Sequence, residues 1–502
     1  MKKKYFLYTL SLFLFGWLSN AQNGYKISIS LKNCPDTLAY LTYYQFDKNL
    51  LKDTCTSIKN GKIIFERKSK LQKGIYTLVS QQKSIYFDFF VDENSQNLEI
   101  ETEYGQNLVK NLTSNSKTQN NFFDYIRFIG KQGVELQEYK SKINPKTKQD
   151  SLLVLDKQKS LEKDLLDIEE KFINANKGTY IADVVNLKTE RILKNVPMLS
   201  NGKKDSISEF NYYKKHYWDN VDFKDDATVR NPFFNIKIKK YFDQVVYVHP
   251  DSVTVEIDKM LDKTISGSLI NKILIGYFTH NYETSKIMGF DKIFIHMAEK
   301  YFKTGKANGI YNDESIVGKI IKRAEKLKPI AIGSKAPELY LIKAQDIAQV
   351  NKMGFDKANT SEELTNLYYK NQDAVSKLFY KLSDVMADYT VLAFWDVDCG
   401  HCQKEIPKLV DEYHKIQKKG IDIKVLSVYT LFETDKYQKY IIDHKLDWIN
   451  TYDGIHFNNV VEKYDVYSTP VFYLLDKNKI IKAKRFGVDQ LEKLIEVLAK
   501  EK

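Results

Sequence analysis

The sequence predicts a multi-domain chain: an all-β, sandwich-like N-terminal domain, a mainly α middle domain and a C-terminal α/β domain. Three observations predict it. Short runs of alternating apolar and polar residues fill the region up to about residue 113. Beyond it the apolar spacing changes to the helical period. Near residue 390 a β-branched and aromatic run passes directly into a helical pattern, a strand–turn–helix order. With 502 residues the chain exceeds what one hydrophobic core organises, and its length suggests about three domains.

Residues 1–21 read as a cleavable signal peptide. Lys2, Lys3 and Lys4 form a charged start, Tyr5 to Leu18 an apolar stretch, and Ser19-Asn20-Ala21 offers small residues where a signal peptidase reads, so cleavage is expected after Ala21. The competing reading is an uncleaved anchor, but the apolar run falls short of the roughly 20 residues of a membrane span. No cysteine follows closely enough for a lipid anchor, and no span is expected in the mature chain.

Residues 22–113 read as strands. Ile27, Ile29 and Leu31 alternate with Lys26, Ser28 and Ser30, and IYTLVS, IYFDFFV and LEIET follow. Asn60-Gly61, between two short apolar runs, is a hairpin signal. Cys34 and Cys55 both fall here; a disulfide between them and two buried free thiols are both open, because spacing alone does not show that they meet.

Residues 114–328 read as helical. Leu161, Leu165, Ile168 and Phe172 recur at helical spacing with Gly178 as a stop, and Met288 to Phe302 is another apolar-faced segment. No catalytic constellation stands out; His280 and His296 are single histidines in apolar surroundings and read as core or surface residues. Pro329, Gly333 and Pro337 mark a linker over Lys326 to Pro337.

In the last segment, 329–502, the string YTVLAFWDVDCGHCQKEIPKL carries the chemistry. It sets Cys399 at the start of a helix, where unpaired N–H groups and the dipole favour a thiolate, with Cys402 one turn on as a resolving thiol. A structural zinc site takes four ligands, usually as two such pairs, and no second C-x-x-C exists. Attachment of c-type haem needs His directly after the second cysteine, and Gln403 stands there. No metal and no cofactor are expected.

The stretch from about Gly333 to Lys502 resembles a TlpA/ResA-type thioredoxin-like domain. IGSKAPELYL resembles the opening strand of that family, VLAFWDVDCGHCQKEIP its active-site strand and helix, and YDVYSTPVFYLLDKNKII its later hairpin. Thr469-Pro470 stands where the family carries a cis-proline facing the cysteines, and Pro407 where its helix carries a kinking proline. The resemblance implies a thioredoxin-like fold, a central sheet flanked by helices, with about 343–381 as an insertion. It implies thiol–disulfide oxidoreductase activity, with Cys399 as nucleophile, Cys402 as resolving thiol, and Thr469 and Pro470 shaping the substrate surface. The strand pattern of the N-terminal region, with NGKIIFE, loosely resembles the domain of unknown function that often precedes such domains in exported bacterial proteins; NPFFNIKIKKYF and GFDKIFIHMAEKYF resemble the helical module found between the two.

The chain departs from thioredoxin at two positions. Asp398 replaces the Trp before the first cysteine, and Ala393 stands where thioredoxin has a buried Asp, so the usual proton acceptor is missing. Glu405, one turn into the helix, is the nearest candidate, with Asp396 and Asp398 behind it; each is equally readable as a solvated carboxylate near a helix start. His401, between the cysteines, is expected to stabilise the Cys399 thiolate and make the disulfide more oxidising, opposed by Asp396 and Asp398.

The net charge is +12, but the lysines are interleaved with Asp and Glu and form no run of five or six, which describes a solvated surface and no nucleic-acid partner. Export and a C-x-x-C agree, since disulfide traffic belongs in oxidising compartments; with the resemblance, the periplasm is the expected location. Expected partners are protein thiols and disulfides of the cell envelope and an upstream electron donor. The alternative class is an envelope binding or interaction protein whose C-x-x-C is structural or vestigial.

Overall fold

The structure, a computed structural model, describes residues 24–82, 85–105, 108–358, 360–431, 433–453 and 457–500. The expected signal peptide, 1–21, lies outside the described residues. The chain divides into two units, Met1–Val245 and Val246–Lys502, so the helical stretch is shared between them.

The first unit begins with eight strands: β1 Tyr25–Lys32, β2 Ala39–Gln45, β3 Lys48–Cys55, β4 Lys62–Arg67, β5 Gly74–Ser80, β6 Tyr86–Val91, β7 Asn97–Glu103 and β8 Thr113–Ser114. They form two four-stranded sheets, ordered β4-β1-β7-β8 and β3-β2-β5-β6. The period-2 pattern of β1 buries Tyr25, Ile27, Ile29 and Leu31 in one core with Leu41, Tyr76, Leu78 and Phe89 of the other sheet. This is the sandwich that the alternation predicts.

The hairpin signal is corrected. Asn60 and Gly61 do make a tight turn, with φ of 51° and 71° and the Lys62 N–H donating to the Lys59 carbonyl at 2.9 Å. A Cβ on Gly61 would come within 2.1 Å of the Leu31 carbonyl oxygen, so the position needs glycine. Yet β3 and β4 on either side of it belong to different sheets. Turn chemistry is local, whereas pairing is decided by the faces: β4 pairs with β1 through Ile63↔Ile29 and Phe65↔Ile27.

Among the described residues, this unit also holds the α-helices α1 Lys117–Ile143, α2 Lys148–Ala175, α3 Tyr180–Lys188, α4 Ser206–His216 and α5 Phe233–Lys240. Thr147 and Asp150 cap α2 reciprocally. Phe172 enters the core of the sheets, with Leu165 and Ile168 packed against it. Gly178, at φ 79°, lies just past the end of that helix.

The second unit opens with α6 Pro250–Leu261, α7 Leu269–Glu283, α8 Asp291–Met297 and α9 Glu314–Leu327. There follow β9 Tyr340–Lys343, α10 Ile347–Lys352, α11 Ser361–Lys370, α12 Gln372–Ser376, β10 Phe379–Lys381, β11 Tyr389–Trp395, α13 Cys402–Lys418, β12 Ile423–Tyr429, α14 Thr434–Asp443, β13 Ile449–Tyr452, α15 Val460–Lys463, β14 Val471–Asp476, β15 Ile481–Lys484 and α16 Leu491–Lys500. The seven strands form one mixed sheet, ordered β10-β9-β13-β12-β11-β14-β15. All seven residues of β11 are buried, as a β-branched and aromatic run on a strand covered on both faces requires, with the Thr390 hydroxyl accepting from Lys479 at 3.1 Å. The inserted segment is structured: α10, α11 and α12 lead to β10, which adds an edge strand beside β9.

Buried charge ties α6–α9 to the sheet. Arg323 of α9 forks onto both carboxylate oxygens of Asp465, the second at 2.9 Å, and Arg485 reaches the same carboxylate at 2.7 Å. Lys484, at the end of β15, meets Asp291 of α8 at 2.5 Å and the Ile330 carbonyl at 3.0 Å. Asp465 and Lys484 are both buried, and buried charges persist only when paired in this way.

Candidate redox site

The site is built where β11 ends. After Trp395 the chain turns through Asp396, Val397 and Asp398, and the Gln403 N–H donates to the Cys399 carbonyl at 3.1 Å, opening the helical turn that becomes α13. Its first residue, Cys402, donates its N–H to the Cys399 sulfur at 3.2 Å. A helix N-terminus leaves such N–H groups without intrahelical partners, and here one of them is aimed at the thiol. Pro407 lies inside α13.

From the other side comes the loop before β14. The Thr469–Pro470 peptide is cis, and the Cys399 thiol donates to the Thr469 carbonyl at 3.2 Å. The Thr469 hydroxyl donates to Asp396 at 2.5 Å. Asp396 also accepts the Asp398 N–H at 3.1 Å. Its carboxylate and the two cysteine sulfurs lie within 4.8 Å of one another.

The two thiols differ. Cys399 is half-buried and Cys402 fully buried. Burial alone pushes the Cys399 thiol up. Hydrogen bonds from the Cys402 thiol and N–H, from Thr469 and from the His401 N–H outweigh it and hold Cys399 below its ordinary value of 9.0. Burial dominates at Cys402 and drives its thiol up to about 12, only partly offset by the Asp396 N–H. An accessible thiol with a depressed pKa beside a shielded one with a raised pKa is what stepwise thiol–disulfide exchange requires.

The structure thus brings together Cys399, Cys402, Thr469 and Pro470. The other two expected neighbours stand differently. The His401 side chain is exposed, and what reaches the thiol is its backbone N–H. Glu405 turns to Lys408, at 2.7 Å, and is outside the group of sulfurs and carboxylate; Asp398 pairs with Lys436 at 3.3 Å. The carboxylate beside the sulfurs is Asp396, which the sequence ranked behind Glu405. Asp396 is 8% exposed and has no ion-pair partner among the described residues. Its signal was there to read: an acid directly after a fully buried central strand remains at the buried end of that strand, whereas Glu405 is on a helix with solvent on one side. Asp396, Cys399 and Cys402 are also the one grouping of metal-ligating side chain types among the described residues; three donors are one short of a closed structural zinc site.

Residues 364–484 match the model of the AhpC/TSA family, and residues 162–313 match a domain of unknown function, DUF5106. No curated protein matches the chain. Among solved structures, a domain of a possible thiol-disulfide isomerase from Cytophaga hutchinsonii is 32% identical, covering 34% of this chain and 94% of that one, with a TM-score of 0.26. A thiol:disulfide interchange protein from Bacteroides sp. is 24% identical over 33% of this chain and 88% of that one, TM-score 0.24. A thioredoxin-like protein from Bacteroides caccae is 18% identical over 61% of this chain and 99% of its own, TM-score 0.32. The AhpC/TSA match over residues 364–484 identifies the C-terminal domain as that of a thioredoxin-like thiol–disulfide oxidoreductase.

Proposed function

We propose that this protein is exported and exchanges disulfides with proteins of the cell envelope through Cys399 and Cys402. The observation that carries the reading is the asymmetry of the pair: a half-exposed Cys399 held below its ordinary pKa against a buried Cys402 near 12. Cys399 attacks one sulfur of a substrate disulfide as its thiolate. A mixed disulfide forms, and the other substrate sulfur leaves as a thiolate. Cys402 then gives its proton to the Asp396 carboxylate and attacks the Cys399 sulfur. The Cys399–Cys402 disulfide forms and the second substrate sulfur departs. Thr469 holds Asp396 through its hydroxyl, and its backbone faces the incoming chain. An electron donor of the envelope restores the dithiol. The charged and apolar start of the sequence, ending in Ser19-Asn20-Ala21, supports export to the periplasm.

Trapping tests this. Cys402→Ser lacks the resolving thiol and is expected to accumulate mixed disulfides with envelope proteins on non-reducing gels, while Cys399→Ser traps almost none. Equal trapping by the two, or none by either in an oxidising compartment, contradicts the mechanism and returns the chain to the binding-protein class. A mature N-terminus at Gln22 is the expected result for export.

A further inference from the structure

The exchange reaction leaves the helices α6–α9 without a task. One face of α9 carries Lys319, Lys322, Arg323 and Lys326, at spacing i, i+3, i+4, i+7. Like charges at that spacing repel and weaken a helix unless something compensates them. Two are compensated: Arg323 by Asp465 and Lys326 by Glu462. Lys319 and Lys322 are exposed and form no salt bridge among the described residues; the Asp313 charge at the start of the helix acts on Lys319 without a close ion pair. The helix therefore keeps two cations without a salt bridge beside two that are paired.

These four side chains line a recess of about 550 Å³ whose other walls include Glu283, its single carboxylate among the described lining residues, and Tyr467. Tyr467 is itself exposed. It stands two residues before Thr469, at most about 7 Å along an extended chain, and the Thr469 carbonyl is 3.2 Å from the Cys399 sulfur. One wall of the recess thus belongs to the same loop whose Thr469 carbonyl touches the thiol. Its wall is fixed, because Arg323 forks onto the buried Asp465 of the same loop.

We infer that α9 and the loop around Tyr467 form a docking recess for an acidic stretch of the substrate polypeptide, next to the cysteine under attack. The inference rests on the exchange reading above and adds to it a substrate class. Cations converging on one cleft raise the local concentration and on-rate of an anionic partner, the more so at low salt. The appended helices then act as a selectivity wall for the redox site.

The test uses the full-length reduced protein and two short peptides, each carrying the same mixed disulfide, one flanked on both sides by glutamates and the other by serines. Stopped-flow rates at low ionic strength are expected to favour the acidic peptide by about tenfold, and the preference is expected to shrink as salt rises. In Lys319→Glu with Lys322→Glu the ratio of the two rates is expected to fall to one or below; the milder Lys319→Gln with Lys322→Gln is expected to give an intermediate ratio. A wild-type ratio near one, a ratio indifferent to salt, or a ratio unchanged in both variants overturns the recess. Absence of exchange with either peptide and with a small aromatic disulfide would instead overturn the redox reading, and the recess with it.

Discussion

The protein carries two cysteine pairs, and they have opposite chemistry. Cys34 and Cys55 lie in the sandwich, Cys399 and Cys402 at the end of β11, and all four are free thiols. Cys34 donates to the Asp36 carbonyl at 3.7 Å and Cys55 to the Ser57 carbonyl at 3.6 Å. A carbonyl can only accept, so it favours the protonated thiol. Burial pushes the Cys34 thiol up; the Asp36 backbone N–H offsets part of the rise, and the Asp36 charge adds to it. Cys399 also has a carbonyl neighbour, Thr469, but donors converge on it as well: the N–H groups of His401 and Cys402 and the Cys402 thiol. Burial is the largest influence on both; what separates them is the number of hydrogen-bond donors aimed at the sulfur. A helix start supplies several such donors, whereas a single Asp36 backbone N–H acts on Cys34 past the end of β1.

Several measurements can break or sharpen that comparison. The largest effect is expected at the proton acceptor. Asp396→Asn should slow release of a preformed Cys399 mixed disulfide by about a hundredfold near neutral pH, within the usual range for a positioned base. The loss should shrink as pH rises toward the Cys402 value and hydroxide takes over, and Asp396→Glu should recover part of it. A release rate and pH profile equal to wild type would remove Asp396 from the mechanism.

Alkylation comes next. With Cys402 near 12 and Cys399 below 9.0, their thiolate fractions at neutral pH differ by about a thousandfold or more. Because thiolate nucleophilicity falls with pKa, the rate ratio compresses to about fiftyfold before access is counted. Mass spectrometry of briefly alkylated reduced protein should therefore find label on Cys399 well ahead of Cys402 and Cys34. Comparable label on Cys34 would undo the contrast.

His401→Pro removes both the imidazole and a backbone N–H that faces the thiol. The thiolate loses a donor, the reduced form loses stability, and the disulfide should become harder to reduce by about 30 mV, which is roughly tenfold in the equilibrium constant. A redox titration against glutathione measures it, and an unchanged or more oxidising potential would show that neither group stabilises the thiolate. The smallest effect belongs to the other pair. Cys34→Ala with Cys55→Ala should leave exchange rates within about twofold, while removing the buried Cys55 costs about 1 kcal/mol or more of stability.

Much of this was legible in the sequence. The central strand, the helix start and the cis-proline loop each have local signatures: a β-branched and aromatic run, a C-x-x-C before a helical period, and Thr-Pro ahead of an apolar strand. What escaped is non-local. Asn60-Gly61 announces a turn truthfully but says nothing of which sheet each flanking strand joins. Asp396 and Glu405 look alike as acids near a helix start, and only the packing of β11 separates the buried one from the one that pairs with Lys408. The basic face of α9 is one lysine-rich stretch among many until Asp465 and Glu462, far along the chain, claim half of its charges.

The ion pairs between the helices and the sheet bear on how this chain is built and how it can be cut. Arg323 and Asp465 are 142 residues apart, and Asp291 and Lys484 are 193. Contacts of such long sequence separation form late, because loop closure must precede them. During synthesis α8 and α9 emerge well before their partners exist, so the second unit completes its docking only after β15 is made. A fragment that begins after α9 would lack Asp291, the one carboxylate paired with the buried Lys484 among the described residues, and would leave Asp465 with Arg485 alone; breaking a buried pair typically costs about 3–5 kcal/mol. A fragment starting at Val246 keeps every one of these partners, and on that ground it should be the more stable autonomous piece.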